Sequence, residues 1–236
     1  MKDNTFSITI PTHNKRGKLL ARAIKSIVNQ TYPHWELIVV DDHSIDDTKE
    51  IVLGFKDPRI RYIRLEHGSN RYFARNAGMK RAENEWICWG DSDDSYLEIY
   101  LEVFNDWINQ FPEYKVFNCA TLVQHNRKEG EMAHYKYSTV RNVFEPKELE
   151  VGHEHFESGK IGSGQFVFHK SVLEKVGYLA EATTFWDFAK LSGIPGYGYQ
   201  KPCGNPFGGD FAMFYKITRK FKTKPIPVCL YQQHTR

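Results

Sequence analysis

The 236 residues hold 32 lysines and arginines against 29 aspartates and glutamates, a formal net charge of +3, too slight to make nucleic acid the default partner. That length forms one large domain or two closely joined halves with a substantial core. Four cysteines, Cys88, Cys119, Cys203 and Cys229, lack C-x-x-C spacing, which speaks against a zinc site or a disulfide framework and for reduced thiols in the cytosol.

Met1 to Thr5 leads straight into a strand pattern, and no apolar run approaches the roughly 18 residues of a membrane span. The expected location is therefore cytoplasmic, at most peripheral to a membrane. Residues 6–10 alternate and are β-branched until Pro11, Thr12, His13 and Asn14 break the run, so a first strand ends in a loop. Between residues 19 and 30, Leu20, Ala23, Ile24, Ile27 and Val28 recur at helical spacing. A second strand, 35–40, ends on Asp41 and Asp42. Asp46, Asp47 and Thr48 open a second helix running to Phe55, with carboxylates suited to its N-terminal dipole. A third strand follows at 60–65. Strand and helix in alternation predict a parallel sheet joined by right-handed crossovers.

Residues 68–70 read as a loop and 72–82 as a helix, with Arg71, Arg75 and Lys80 along it. The apolar run Trp86, Ile87, Cys88, Trp89 then stops after Gly90 on Asp91, Ser92, Asp93 and Asp94. A continuous apolar run is what a strand covered on both faces shows, and ligands of open α/β sheets gather beyond the carboxyl ends of such strands. Two like charges about 5 Å apart repel by roughly 3 kcal/mol at an effective dielectric near 20, a repulsion that a hard divalent cation would relieve. The plainer reading is a solvated acidic turn in which Asp94 or Ser95 caps a helix over 96–108.

Beyond residue 112 the pattern changes. Residues 114–123 and 164–169 read as strands, 143–146 as a loop and 170–176 as a short helix. The glycine-, proline- and aromatic-rich stretch 194–209 is either a lid or binding loop or a plain connection. Residues 210–221 regain helical character, and 227–231 form a last strand before Gln232, Gln233 and His234.

The segments S-I-T-I-P-T-H-N at 7–14, S-I-V-N-Q-T-Y at 26–32, E-L-I-V-V-D-D-H-S at 36–44, A-R-N-A-G at 74–78 and D-S-D-D at 91–94 together resemble the family 2 glycosyltransferases, in the same order and at similar spacing. The match is dense over residues 5–105. It implies the A-type glycosyltransferase fold, a Rossmann-like, mostly parallel α/β sheet flanked by helices. One domain over 1–236 would comprise a nucleotide-sugar half (1–110) and an acceptor and catalytic-base half (111–236) with the loop at 194–209. It further implies an inverting transfer from a nucleoside-diphosphate sugar, a UDP-sugar above others, to the hydroxyl of a glycan, a lipid-linked saccharide or another acceptor, with Mn2+ or Mg2+ as cofactor.

By that resemblance Pro11, Thr12, Asn14, Asp41, Arg75, Asp91 and Ser92 would hold the nucleotide sugar, Asp41 meeting the base. Asp93 or Asp94 would bind the metal, and His234 lies where several members place a histidine near it. Asp210 would be the general base, although Gly209 stands before it where the family usually has an acid. Glu181 and Trp186 would face the acceptor, Trp186 having core packing as its alternative. Two other functions fit parts of the pattern: a sugar-nucleotide nucleotidyltransferase, which usually carries a glycine-rich basic loop where this chain has Pro11 to Asn14, and a sugar-nucleotide-binding module without catalysis.

Overall fold

The computed structural model describes residues 2–14, 17–68, 71–125, 137–141, 163–179, 213 and 216–235. Their elements are β1 (Phe6–Thr12), α1 (Gly17–Val28), β2 (Trp35–Asp41), α2 (Thr48–Leu53), β3 (Ile60–Arg64), α3 (Arg71–Arg81), β4 (Trp86–Trp89), β5 (Ser95–Tyr96), α4 (Tyr100–Gln110), β6 (Val116–His125), β7 (Tyr137–Arg141), β8 (Phe166–His169), α5 (Ser171–Val176) and β9 (Thr223–Thr235).

Among the described residues nine strands form one sheet in the order β3-β2-β1-β4-β8-β6-β9-β5, with β7 on β6. The block β3-β2-β1-β4 is parallel throughout, as the alternation of strands and helices predicts. The remainder is mixed: β8 runs against β4 and β6, β5 against β9 and β7 against β6, while β9 is parallel to β6. Successive strands step outward from β1 to β3, and the chain then returns to place β4 on the other side of β1. The crevice between the carboxyl ends of β1 and β4 is thus a topological switch point, where such sheets bind ligands.

Strand residues alternate between two cores because their side chains point to opposite faces. Leu37, Val39, Trp86 and Cys88 pack with Leu20, Ala23, Ile24 and Ile27 of α1 and Tyr100, Leu101, Phe104 and Ile108 of α4. On the opposite face Ile87 and Trp89 pack with Met79, Val116, Phe166 and Phe168, and Ile38 and Val40 with Ala74. The long β9 hides in sequence behind Pro225 and Pro227. Its register on β6 jumps from Cys119↔Ile226 to Ala120↔Cys229, so Pro227 and Val228 bulge out where a residue without an N–H costs the ladder nothing.

The helix expected from residue 96 begins at Tyr100, because Ser95 and Tyr96 pair with Gln232 and Tyr231 as β5. Its N-cap is Ile99 without a side-chain bond, so neither Asp94 nor Ser95 caps it.

At the amino ends of the parallel strands Glu36 is a polar knot. Its Oε1 accepts from Ser7 Oγ and from the Glu83 N–H, both at 2.7 Å, and its Oε2 from Arg61 at 2.7 Å. Burial pushes its carboxyl up, but these donors outweigh it and hold the pKa below the usual glutamate value. A depressed carboxyl stabilises the fold above its unfolded pKa and loses that contribution as pH falls through the folded one. Glu36→Gln is therefore expected to cost about 1–3 kcal/mol near neutral pH and to flatten the loss of stability below about pH 4.5, read from urea melts at several pH values.

Candidate active site

The tails of β1 and β2 are laced together where they leave the sheet. The Asp42 N–H donates to the Thr12 carbonyl at 2.9 Å. His13 Nδ1 lies 2.7 Å from the Asp42 carbonyl and its Nε2 3.0 Å from Asn14 Nδ2, so Nδ1 donates to the carbonyl and Nε2 accepts from the amide. Asn14, at a positive φ of 32°, accepts from the Ile45 N–H at 2.8 Å. Asp41, 1 % exposed, accepts from the Ser44 N–H at 2.8 Å and from the Tyr62 hydroxyl at 2.5 Å. Its carboxylate thus shapes the loop from within, while the neighbouring Asp42 faces the crevice.

α3 lies flat on β1 and β2 because Gly78 lets it: a Cβ there would stand 3.0 Å from Thr9 Cβ. That close approach carries Arg75, 2 % exposed, into the switch point, where its guanidinium pairs with Asp91 Oδ1 at 2.5 Å and sits 5.5 Å from the centre of the Trp89 ring. Gly90 is equally constrained: a Cβ would lie 2.2 Å from the Tyr96 hydroxyl, which donates to the Trp89 carbonyl at 2.9 Å. The acidic tip starts immediately after this contact.

The three carboxylates of the tip have three different environments. Asp91 is paired with Arg75. Asp94, 4 % exposed, accepts from the Tyr231 hydroxyl on Oδ2 and from the His234 N–H on Oδ1 at 3.0 Å. Its pKa is pushed up to about 7, first by burial and then by the charge of Asp91, against the pull of those two donors. Asp93 stays on the crevice side. The protein thus relieves most of the repulsion itself, so like charge alone does not argue for a cation here.

The crevice is a cavity of about 290 Å³ lined by Pro11, Thr12, His13, Asp42, Arg71, Ala74, Arg75, Asp91, Ser92 and Asp93. Of the residues named from the sequence, it gathers Pro11, Thr12, Arg75, Asp91, Ser92 and Asp93. Asn14 and Asp41 stand behind it in the loop network, and Asp94 is turned toward β9. His234 is brought against the acidic tip, its Nε2 2.9 Å from Ser95 Oγ. Glu181, Trp186, Asp210 and the stretch 194–209 lie outside the described residues. Arg71, one helical turn before Arg75, was legible as a second cation on one helix face, whereas His13 and Asp42 sat inside motifs read for their neighbours.

The Thr12 hydroxyl is buried and has no hydrogen-bond partner among the described residues, as befits a group left for a ligand or water. Among those residues no cluster of three or more His, Cys, Asp or Glu is placed to hold a metal. One carboxylate, Asp93, beside a cavity with arginines on its wall fits Mg2+ or Mn2+ in the mode where phosphate oxygens and water complete the shell.

The sequence pattern of glycosyl transferase family 2 matches residues 7–177. The UDP-Glc:alpha-D-GlcNAc-diphosphoundecaprenol beta-1,3-glucosyltransferase WfgD of Escherichia coli is 39 % identical over 129 residues, covering 52 % of this chain and 51 % of that one. The GalNAc(5)-diNAcBac-PP-undecaprenol beta-1,3-glucosyltransferase of Campylobacter jejuni is 35 % identical over 176 residues, 72 % of this chain and 53 % of that one. The chain thus spans about half the length of these relatives. S. aureus TarS in complex with UDP superposes with a TM-score of 0.69 at 20 % identity, over 98 % of this chain and 60 % of that one. A mannosyltransferase of Pyrobaculum calidifontis in complex with GDP-Man and Mn2+ gives 0.64 at 14 % identity, over 99 % and 57 %. At such identities the likeness is one of fold.

Proposed function

The chain belongs to glycosyl transferase family 2, and from that membership we propose that it transfers a sugar from a UDP-sugar to an acceptor hydroxyl with inversion, aided by Mn2+ or Mg2+. The observation that carries this reading is the crevice at the β1/β4 switch point, where Asp93, Arg75 and the Thr12 hydroxyl, without a partner among the described residues, meet. Residues 1–110 would serve the donor and 111–236 the acceptor within one domain. UDP-glucose is the first donor to try and a diphosphoundecaprenol-linked saccharide the first acceptor, because both substrates figure in the names of the relatives above. The family pattern favours this reading over nucleotidyl transfer.

In this account Asp41 and Asp42 hold the base end, Asp42 from the crevice wall and Asp41 through the loop it orders or by exchanging its Tyr62 contact for the base. Pro11, Thr12 and Asn14 shape the wall beside the ribose, with Ser92 opposite. Arg75 fixes Asp91 for the ribose or sugar, and Arg71 lies beside the path of the phosphates. A divalent ion held by Asp93 and the phosphate oxygens, with His234 within reach of the tip, would offset the charge that develops on the leaving diphosphate. Asp94 would act behind Asp93 by holding the tip to β9. On the acceptor side, where Glu181 and Trp186 would bind, Asp210 takes the hydroxyl proton as the acceptor oxygen bonds to the anomeric carbon. The bond from that carbon to the diphosphate oxygen breaks, and the nucleoside diphosphate leaves with the electron pair.

No described helix is long and apolar enough to cross a membrane. A lipid-linked acceptor would present its saccharide to the crevice at the surface of the bilayer. Incubation with radiolabelled UDP-glucose, Mn2+ and a diphosphoundecaprenol-linked disaccharide is expected to move label into the lipid fraction. Absence of transfer from UDP-glucose, UDP-galactose and their N-acetyl forms would overturn the choice of a UDP-sugar.

A further inference from the structure

The acidic tip is gripped from two sides, and one grip comes from a helix that contributes nothing to the cavity wall. Arg22, Ser26 and Gln30 lie four residues apart, so they share one side of α1 and its C-terminal extension. They meet the segment after β4 in order. The Arg22 guanidinium donates to the Asp93 carbonyl, and Ser26 Oγ accepts from the Tyr96 N–H at 3.1 Å. Gln30 donates to the Leu97 carbonyl at 2.7 Å and accepts from the Leu101 N–H at 3.0 Å. On the other side Tyr231 and the His234 N–H hold Asp94, and β9 pairs with Ser95 and Tyr96.

Asp93 is caught between the two grips. Its carbonyl faces Arg22, the following side chain faces β9, and its own side chain faces the cavity. With the Asp93 carbonyl held by Arg22 and the next residue held by β9, the planar peptide between them is fixed, and with it the Asp93 Cα from which the carboxylate swings. A charged donor makes that restraint stronger than a neutral one.

We propose that Arg22 is a positioning residue for the transfer reaction, orienting the Asp93 carboxylate toward the metal–diphosphate through the Asp93 carbonyl. This rests on the reading of Asp93 as the metal-binding carboxylate. Losing an outer partner of a metal ligand typically lowers metal affinity by about 10- to 100-fold. Arg22→Met should therefore raise the Mn2+ concentration for half-maximal UDP binding by about tenfold, with Arg22→Lys in between. UDP binding in EDTA should match the wild type, which a merely structural role would not preserve, while loss of the part-buried hydrogen bond to the Asp93 carbonyl should lower the metal-free melting temperature by only a few degrees.

The test is calorimetric titration of UDP at graded Mn2+ on the wild type and both variants. Wild-type metal dependence in Arg22→Met would overturn the positioning role while leaving Asp93 as the metal carboxylate. Equal weakening of UDP binding with and without metal would also overturn it, because the damage would then be general. A wild type whose UDP binding ignores Mn2+ would bring down the Asp93 reading and this one with it. Should the methionine variant not fold, the lysine variant carries the test, an unchanged Mn2+ requirement counting against the proposal.

Discussion

Asp93→Ala is expected to lower the transfer rate about 10²- to 10³-fold and to abolish its response to Mn2+, the scale seen when one preorganised charge-stabilising contact is removed from a reaction. The fold should not suffer. Asp93 is half-buried on the cavity wall, and its charge is one of those pushing the Asp94 carboxyl up, so its removal relieves repulsion at the tip. Asp94→Ala should behave in the opposite way. It strips the Tyr231 hydroxyl and the His234 N–H of their acceptor in a buried site, at about 1–3 kcal/mol for each group left unpaired. Thermal melts without metal, paired with Mn2+ titrations of activity, separate the two. Should Asp94→Ala keep its stability and lose metal dependence while Asp93→Ala keeps it, their roles are exchanged.

Asp210→Asn is expected to lower kcat about 10²- to 10⁴-fold, the range contributed by a positioned general base. UDP binding, with and without Mn2+, should stay at the wild-type level, because the donor crevice is built from β1, β2, α3 and the tip after β4. Asparagine keeps the shape and can still cap a helix, so a loss of transfer with an intact melt isolates the proton acceptor from a capping role. With Gly209 in place of the usual acid before it, no second carboxylate immediately precedes Asp210 to take over. Near-normal transfer in Asp210→Asn would remove it as the base.

The parallel half of the sheet was legible because its signals are local. Leu37 to Val40 and Trp86 to Trp89 are apolar on every position since both faces of their strands are covered, and the turns that follow end on aspartates. What the sequence concealed depends on partners far along the chain. Ser95 and Tyr96 carry no strand signal of their own and become β5 only because Gln232 and Tyr231 arrive beside them. The choice between Asp93 and Asp94 could not be made from spacing, since the group that turns Asp94 away is a tyrosine 137 residues later. The motif points Asp41 at the base, but Ser44 and Tyr62 occupy its carboxylate in this structure. Arg22 belongs to no motif, and its meaning appears only when α1 lies beside the tip. Bare carboxylates at this spacing would call for a cation, whereas here Arg75 and burial deal with two of the three.

On the proposed function, the crevice between β1 and β4 binds a nucleoside diphosphate together with a divalent metal. The most direct measurement is calorimetric titration of the wild-type chain with UDP, GDP, dTDP and CDP, each with Mn2+ and with EDTA. UDP is expected to bind above the others, and more tightly with Mn2+ than with EDTA. Failure of all four nucleotides to bind in the presence of Mn2+ would contradict it.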